Sequence, residues 1–229
     1  MEQLGQRVSK ITFDHHFQGQ FGSVGAEEGR FVWPRSIDLD NHGRVYVSDE
    51  HLNRITVFDE QGAYRYYWGT PGGEDGQLNG PSGLAFDSHG TVWVVDSMNH
   101  RVQRFSQLGE FQSNFGKQGG GDGELEMPWG ICTDRHDNIY VADWGNNRVQ
   151  KFSPSGELLV KFEASSTGVG SLKGPSGVAV DSDGDVYVTD WGNHRVQIYA
   201  ADGKYITALC GDAQEPSEWT QTYIDANPD

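Results

Sequence analysis

Val92-Trp93-Val94-Val95-Asp96-Ser97-Met98-Asn99-His100-Arg101-Val102 joins two runs of alternating apolar residues through a short polar link. Its first half returns as VYVSD at 45–49, IYVAD at 139–143 and VYVTD at 186–190. β-Branched and aromatic residues with period two make strands, since successive side chains of a strand point to opposite faces. The copies are in strict phase. Pro34, Pro81, Pro128 and Pro175 lie 47 residues apart, as do Asp49, Asp96, Asp143 and Asp190, and Arg54, Arg101, Arg148 and Arg195.

Working outward from 92–102, four strand-like runs fit one unit: SGLAFD at 82–87, TVWVVD at 91–96, HRVQRF at 100–105 and EFQSNFG at 110–116. Links rich in Gly, Asn, Asp and Ser separate them, so each unit reads as a four-stranded antiparallel meander. Such a sheet cannot bury both faces alone, so units of this period stack as the blades of a β-propeller. The expected organisation is all-β: a partial blade at 5–34, blades at 35–81, 82–128, 129–175 and 176–211, and a tail at 212–229 without repeat landmarks. Four units and a part are expected to form a fragment of a larger ring, an open arc or a protomer closed by a partner.

Composition excludes several classes. Seven Trp, 9 Tyr and 11 Phe in 229 residues provide a core that a disordered chain lacks. No run approaches the roughly 18 apolar residues of a membrane span, and the first residues show no signal-peptide core, so a cytoplasmic, membrane-free protein is expected. Cys132 and Cys210 are too few for a disulfide framework or a cysteine-rich zinc site and read as small buried apolar residues.

The links Asp96-Ser97-Met98-Asn99-His100-Arg101-Val102 and Asp190-Trp191-Gly192-Asn193-His194-Arg195-Val196 resemble the signature of NHL repeats, which are named after that Asn-His. Residues 143–149 match with Asn147 in place of His, and residues 49–55 depart further, with Leu52 where Asn is expected. The resemblance implies a propeller, usually six-bladed and closed by strands from both chain ends. It also implies candidate roles: partner recognition, including substrate recognition in a ubiquitin-ligase-like setting, or the RNA binding of tripartite-motif relatives.

The most regular residues read as scaffold. Asp49, Asp96, Asp143 and Asp190 are expected to pair with Arg54, Arg101, Arg148 and Arg195 across each hairpin, because catalysis needs one asymmetric constellation and a fold needs the same brace in every blade. Asp40, Asp87, Asp134 and Asp181 open turns, and the calcium-loop likeness of 181–185 fails where a bidentate Glu should fall, at Gly192. His42, His89 and His136 share one turn phase. His100 and His194 are the histidines of interest, since the related peptidyl-amidoglycolate lyases use a histidine at the equivalent place as a zinc ligand. There the other ligands follow the repeat proline. Here those positions hold Arg35, Ser82, Trp129 and Ser176, so no metal site and no cofactor are expected.

Specificity is then expected in what does not repeat. The connector into each inner strand and the loop after each signature Asp should emerge on one rim, placing Trp33, Arg35, Glu50, His51, Met98, Trp129, Trp144 and Trp191 there. Trp, Arg and Met are enriched where proteins meet partners; the competing expectation is that the tryptophans pack between blades. Charge argues against nucleic acid: 33 acidic residues against 17 basic give −16, with no basic cluster. The reading is a non-enzymatic scaffold binding a protein or peptide through one rim, with self-association through open blade faces a further expectation. The alternative is a metal-dependent propeller enzyme, and whether His100 and His194 face the channel is left open.

Overall fold

The computed structural model describes residues 5–164 and 168–210; the tail at 212–229 lies outside them. The alternating runs form strands throughout. A two-stranded sheet, β1 (Val8–Ile11) and β2 (Phe17–Phe21), comes first. Four antiparallel four-stranded sheets follow in chain order. They are β3 (Pro34–Leu39), β4 (Val45–Asp49), β5 (Arg54–Phe58) and β6 (Tyr64–Trp68); β7 (Pro81–Phe86), β8 (Val92–Asp96), β9 (Arg101–Phe105) and β10 (Phe111–Phe115); β11 (Ile131–Thr133), β12 (Ile139–Asp143), β13 (Arg148–Phe152) and β14 (Leu158–Phe162); and β15 (Pro175–Val180), β16 (Val186–Asp190), β17 (Arg195–Tyr199) and β18 (Tyr205–Cys210). The described residues form an all-β propeller of four blades. β1 and β2 precede β5 and β6 by one repeat, so they are the outer half of a further blade. Among the described residues no helix is long and apolar enough to cross a membrane.

Blades cohere because the face each turns to its successor is apolar. Tyr46, Ile55 and Val57 of the first blade share a buried cluster with Leu84, Val92, Val94 and Phe105 of the second. Trp93, Val95 and Val102 repeat that packing against Ile131, Ile139, Val141 and Phe152, and Tyr140, Ala142 and Val149 against Val186, Val188 and Tyr199. Each connector adds one anchor at the 47-residue phase: Phe31, Leu78, Leu125 and Leu172, all buried. On the last blade the corresponding face is less covered, with Tyr187 half-buried and Thr189 exposed among the described residues.

Near the axis the inner strands of the third and fourth blades come so close that a side chain is excluded at Gly130. A Cβ added at Gly130 would lie 2.7 Å from the Gly177 Cα. Backbone and small polar groups stitch this region: Gly83 N–H donates to Trp129 O at 2.8 Å, and Thr133 Oγ1 to Phe86 O at 2.7 Å.

The second aspartate series caps turns. Asp40, Asp87, Asp134 and Asp181 each accept backbone N–H groups two and four residues on, at 2.8–3.0 Å. Burial opposes ionisation of Asp134, but the Asn138 side chain, two backbone N–H groups and Lys151 outweigh it and hold the carboxyl at about 2. Cys132 is half-buried rather than fully so, and burial pushes its thiol up to about 12, so it is a packing residue and not a nucleophile. The Cys210 side chain lies outside the described residues.

Candidate functional site

The signature aspartates clamp the frame. Asp96, Asp143 and Asp190 are fully buried, and each accepts from the Nε of its cross-strand arginine at 2.8 Å. Each also accepts from a connector N–H, at Asn79, Glu126 and Lys173 (2.6–2.7 Å), and from the signature Asn at 2.8–2.9 Å. A fifth member was legible in the sequence but missed: Gln103, Gln150 and Gln197, also one repeat apart, donate to the same carboxylates at 2.8–3.2 Å.

The first blade corrects the expectation of one ion pair per blade. Asp49 and Arg54 are cross-strand partners, yet no ion pair joins them. Arg54 donates instead to the carbonyls of Ala26, Glu27 and Arg30 at 2.9 Å and lies with its Cζ 4.6 Å from the Tyr67 ring centroid. Asp49 turns to the backbone N–H groups of Val32, Trp33, His51 and Leu52. The cause is local: Leu52 and Thr56 replace the Asn and Gln that hold the carboxylate towards the arginine elsewhere.

The residue before the signature Arg is left-handed in every blade, at Asn53, His100, Asn147 and His194. Its side chain accepts a connector N–H 27 residues on: Gly80 to Asn53 at 2.8 Å, Met127 to His100 Nδ1 at 3.1 Å, and Gly174 to Asn147 at 2.8 Å. His100 therefore joins neighbouring blades and does not line the axial cavity, and neither does His194, which is exposed. The His100 acceptor is already occupied, so His100 does not fit the ligand role of the lyase reading. Among the described residues no three His, Cys, Asp or Glu side chains form a group that could hold a metal ion. His100→Asn should leave the thermal midpoint nearly unchanged, as Asn fills this role at 53 and 147, whereas His100→Ala should cost about 1 kcal/mol; equal losses in thermal unfolding would refute the clamp.

A cavity of about 330 Å³ opens on the axis. Arg35, Ser82, Trp129 and Ser176, one from each blade, line its mouth, with Ser36, Gly83, Gly130 and Gly177 one residue deeper. Connector and signature loop do share this rim: Glu50 N–H bonds Trp33 O at 3.0 Å, Met98 N–H bonds Asn79 O at 3.1 Å, and Gly145 N–H bonds Glu126 O at 2.8 Å. At the mouth each blade carries its own combination of inner-strand and loop residues. Arg35 pairs with Glu50 by a short Nε–Oε2 ion pair. Ser82 and Ser97 both donate to Pro128 O. Trp129 stacks on Trp144, with centroids 5.5 Å apart and planes at 17°. The last blade has Ser176 and Trp191.

The predicted rim residues divide accordingly. Trp33, Met98 and Trp191 are 51, 43 and 63% exposed, with Trp33 edge-on to His51 at 5.4 Å. Trp129 and Trp144 are half-buried. Trp144 is close to Gly174 in the next connector and its Nε1 is buried without a partner, so this one tryptophan packs in part between blades. Glu50 is 17% and Arg35 31% exposed, and the Arg35 Cζ sits 5.7 Å from the Trp129 ring centroid, reaching past the second blade to the third.

The model of the SMP-30/Gluconolactonase/LRE-like region matches residues 37–171, more than half of the 229. The chain belongs to the SMP-30/Gluconolactonase/LRE-like family. The NHL repeat model matches residues 172–199, in agreement with the signature at 190–196. Among solved structures, this family member is similar to a catalytically inactive virginiamycin B lyase from Staphylococcus aureus with quinupristin (16% identity, TM-score 0.68, 93% of this chain and 66% of that chain). It is also similar to a streptogramin B lyase (13%, 0.66, 93% and 63%) and to a protein of unknown function from Bacteroides caccae (14%, 0.66, 92% and 71%). At these identities the likeness shows the fold alone, and the chain spans just under two thirds of the two lyases. No curated protein matches this member of the family.

Proposed function

We propose that the chain is a non-enzymatic propeller scaffold that binds a protein or peptide through the rim around Arg35, Glu50, Trp129 and Trp144. The carrying observation is the contrast between a frame that repeats and a mouth that does not: each blade sets a different combination there, and Trp33, Met98 and Trp191 remain exposed beside it. Exposed tryptophans offer large contact area with few rotatable bonds. Peptides selected from a random library on the immobilised chain supply the test. Trp33→Ala and Trp191→Ala should each weaken the selected binders at least tenfold, with thermal midpoints within about 2 °C of the parent. Unchanged affinity in both variants would refute the rim.

The family match speaks for a second reading, catalysis at the same rim, where Glu50 and His51 are groups able to move a proton. Hydrolysis of a sugar lactone by the purified chain would replace the scaffold reading.

A further inference from the structure

Arg35 is not required by the blade. Its equivalents are Ser82, Trp129 and Ser176, and it belongs to no part of the Asp–Asn–Arg–Gln frame. Its guanidinium nevertheless holds a defined place, against the Glu50 carboxylate on one side and near the Trp129 ring on the other. That ring is fixed: it stacks on Trp144, and the Trp129 carbonyl accepts from Gly83 N–H and Ser82 Oγ. A carboxylate beside a fixed indole is the pairing that recognises a guanidinium or ammonium group, through charge-assisted hydrogen bonding and cation–π attraction.

We propose that Glu50 and Trp129 form a receptor for an arginine side chain of a basic peptide, and that Arg35 is its built-in occupant. This rests on the rim reading and names the partner's chemistry. The chain's charge of −16 draws a basic partner, whereas an anionic one would meet long-range repulsion and an arginine already neutralised by Glu50. The incoming arginine replaces Arg35 with the loss of one ion pair and the gain of another. Because the tethered side chain competes, the receptor is free only in the fraction of molecules whose Arg35 has swung away, and apparent affinity is reduced by that fraction.

The probes are acetyl-Gly-Arg-Gly-amide and its citrulline counterpart, which keeps the shape and loses the charge. Titrated by calorimetry, Arg35→Ser, the residue of the second and fourth blades, should bind the arginine tripeptide at least tenfold more tightly than the parent chain, and the citrulline tripeptide no better than the parent does. Adding Glu50→Gln should cancel the gain. Arg35→Gln serves as a second variant should the serine form unfold. No gain on removing Arg35, or equal binding of citrulline, would overturn the proposal. So would tighter binding of acetyl-Gly-Glu-Gly-amide by the parent than by Arg35→Ser, since Arg35 would then be an anion receptor. If selected peptides depend on Trp33 and Trp191 while Arg35→Ser gains nothing, the arginine receptor falls and the rim stands; the reverse pattern separates the two the other way.

Discussion

An Asp143→Ala chain is expected to lose about 3–5 kcal/mol of unfolding free energy in urea, the largest effect of any single carboxylate here. The carboxylate is fully buried and accepts from Glu126 N–H, Asn146, Arg148 and Gln150. Its removal leaves the buried Arg148 guanidinium facing only the carbonyls of Gly120, Gly121 and Glu124, and orphans the connector N–H. Asp49→Ala should cost clearly less, about 1–3 kcal/mol, because Asp49 serves backbone N–H groups and leaves no arginine behind. Equal losses would show that the arginine pairing contributes nothing.

The same brace responds to pH with opposite sign in two blades. Burial pushes the Asp143 carboxyl above its ordinary range, against the pull of its donors. At Asp190 burial also opposes ionisation, but Asn193, Arg195, the Lys173 N–H and Gln197 prevail and hold the carboxyl low. A carboxyl raised by folding adds stability below its unfolded value, and this is lost as pH rises through the folded value. One lowered by folding adds stability above its unfolded value, lost as pH falls through the folded one. As pH falls, stability is therefore lost at the Asp190 carboxyl of the last blade and not at the Asp143 carboxyl of the third. The difference follows from cover, since the last blade has no described neighbour on its outer face.

Much of this was legible in the sequence. The 47-residue phase located the strands, the signature loops and the rim because all depend on local alternation and turn chemistry. What escaped depended on side chains meeting across strands and blades. Gln103, Gln150 and Gln197 sat in phase and were passed over, and with them the reason that Thr56 and Leu52 release Arg54 from Asp49. The histidines drew attention as metal ligands through the lyase resemblance; the partner of His100, a connector N–H 27 residues on, follows from left-handed backbone and the stacking of blades. The contact between Arg35 and Trp129 joins blades not adjacent in sequence, and no periodicity announces it.

The second large effect concerns cover. Trp93→Ala should cost about 3–5 kcal/mol: the indole is fully buried between the second and third blades, donates to Asp87 at 3.3 Å, and lies with its centroid 5.2 Å from the Arg104 Cζ. Tyr187 stands at the same phase of the last blade but is half-buried, so Tyr187→Ala should cost about 1 kcal/mol or less. Urea midpoints of the two variants decide it. A Tyr187 loss equal to that of Trp93 would mean the last blade's outer face is covered as fully as the inner ones.

The combinations at the mouth give the propeller a modular grammar. Arg35 pairs with Glu50, Trp129 stacks on Trp144, and Ser82 and Ser97 share the Pro128 carbonyl as acceptor; each couple lies 15 residues apart in the chain, and none enters the aspartate frame. Exchanged together, two such letters change the chemistry presented at the axis while every brace stays in place. Exchanged singly, they leave a charge or a ring without its counterpart, as Arg35→Ser would by freeing Glu50.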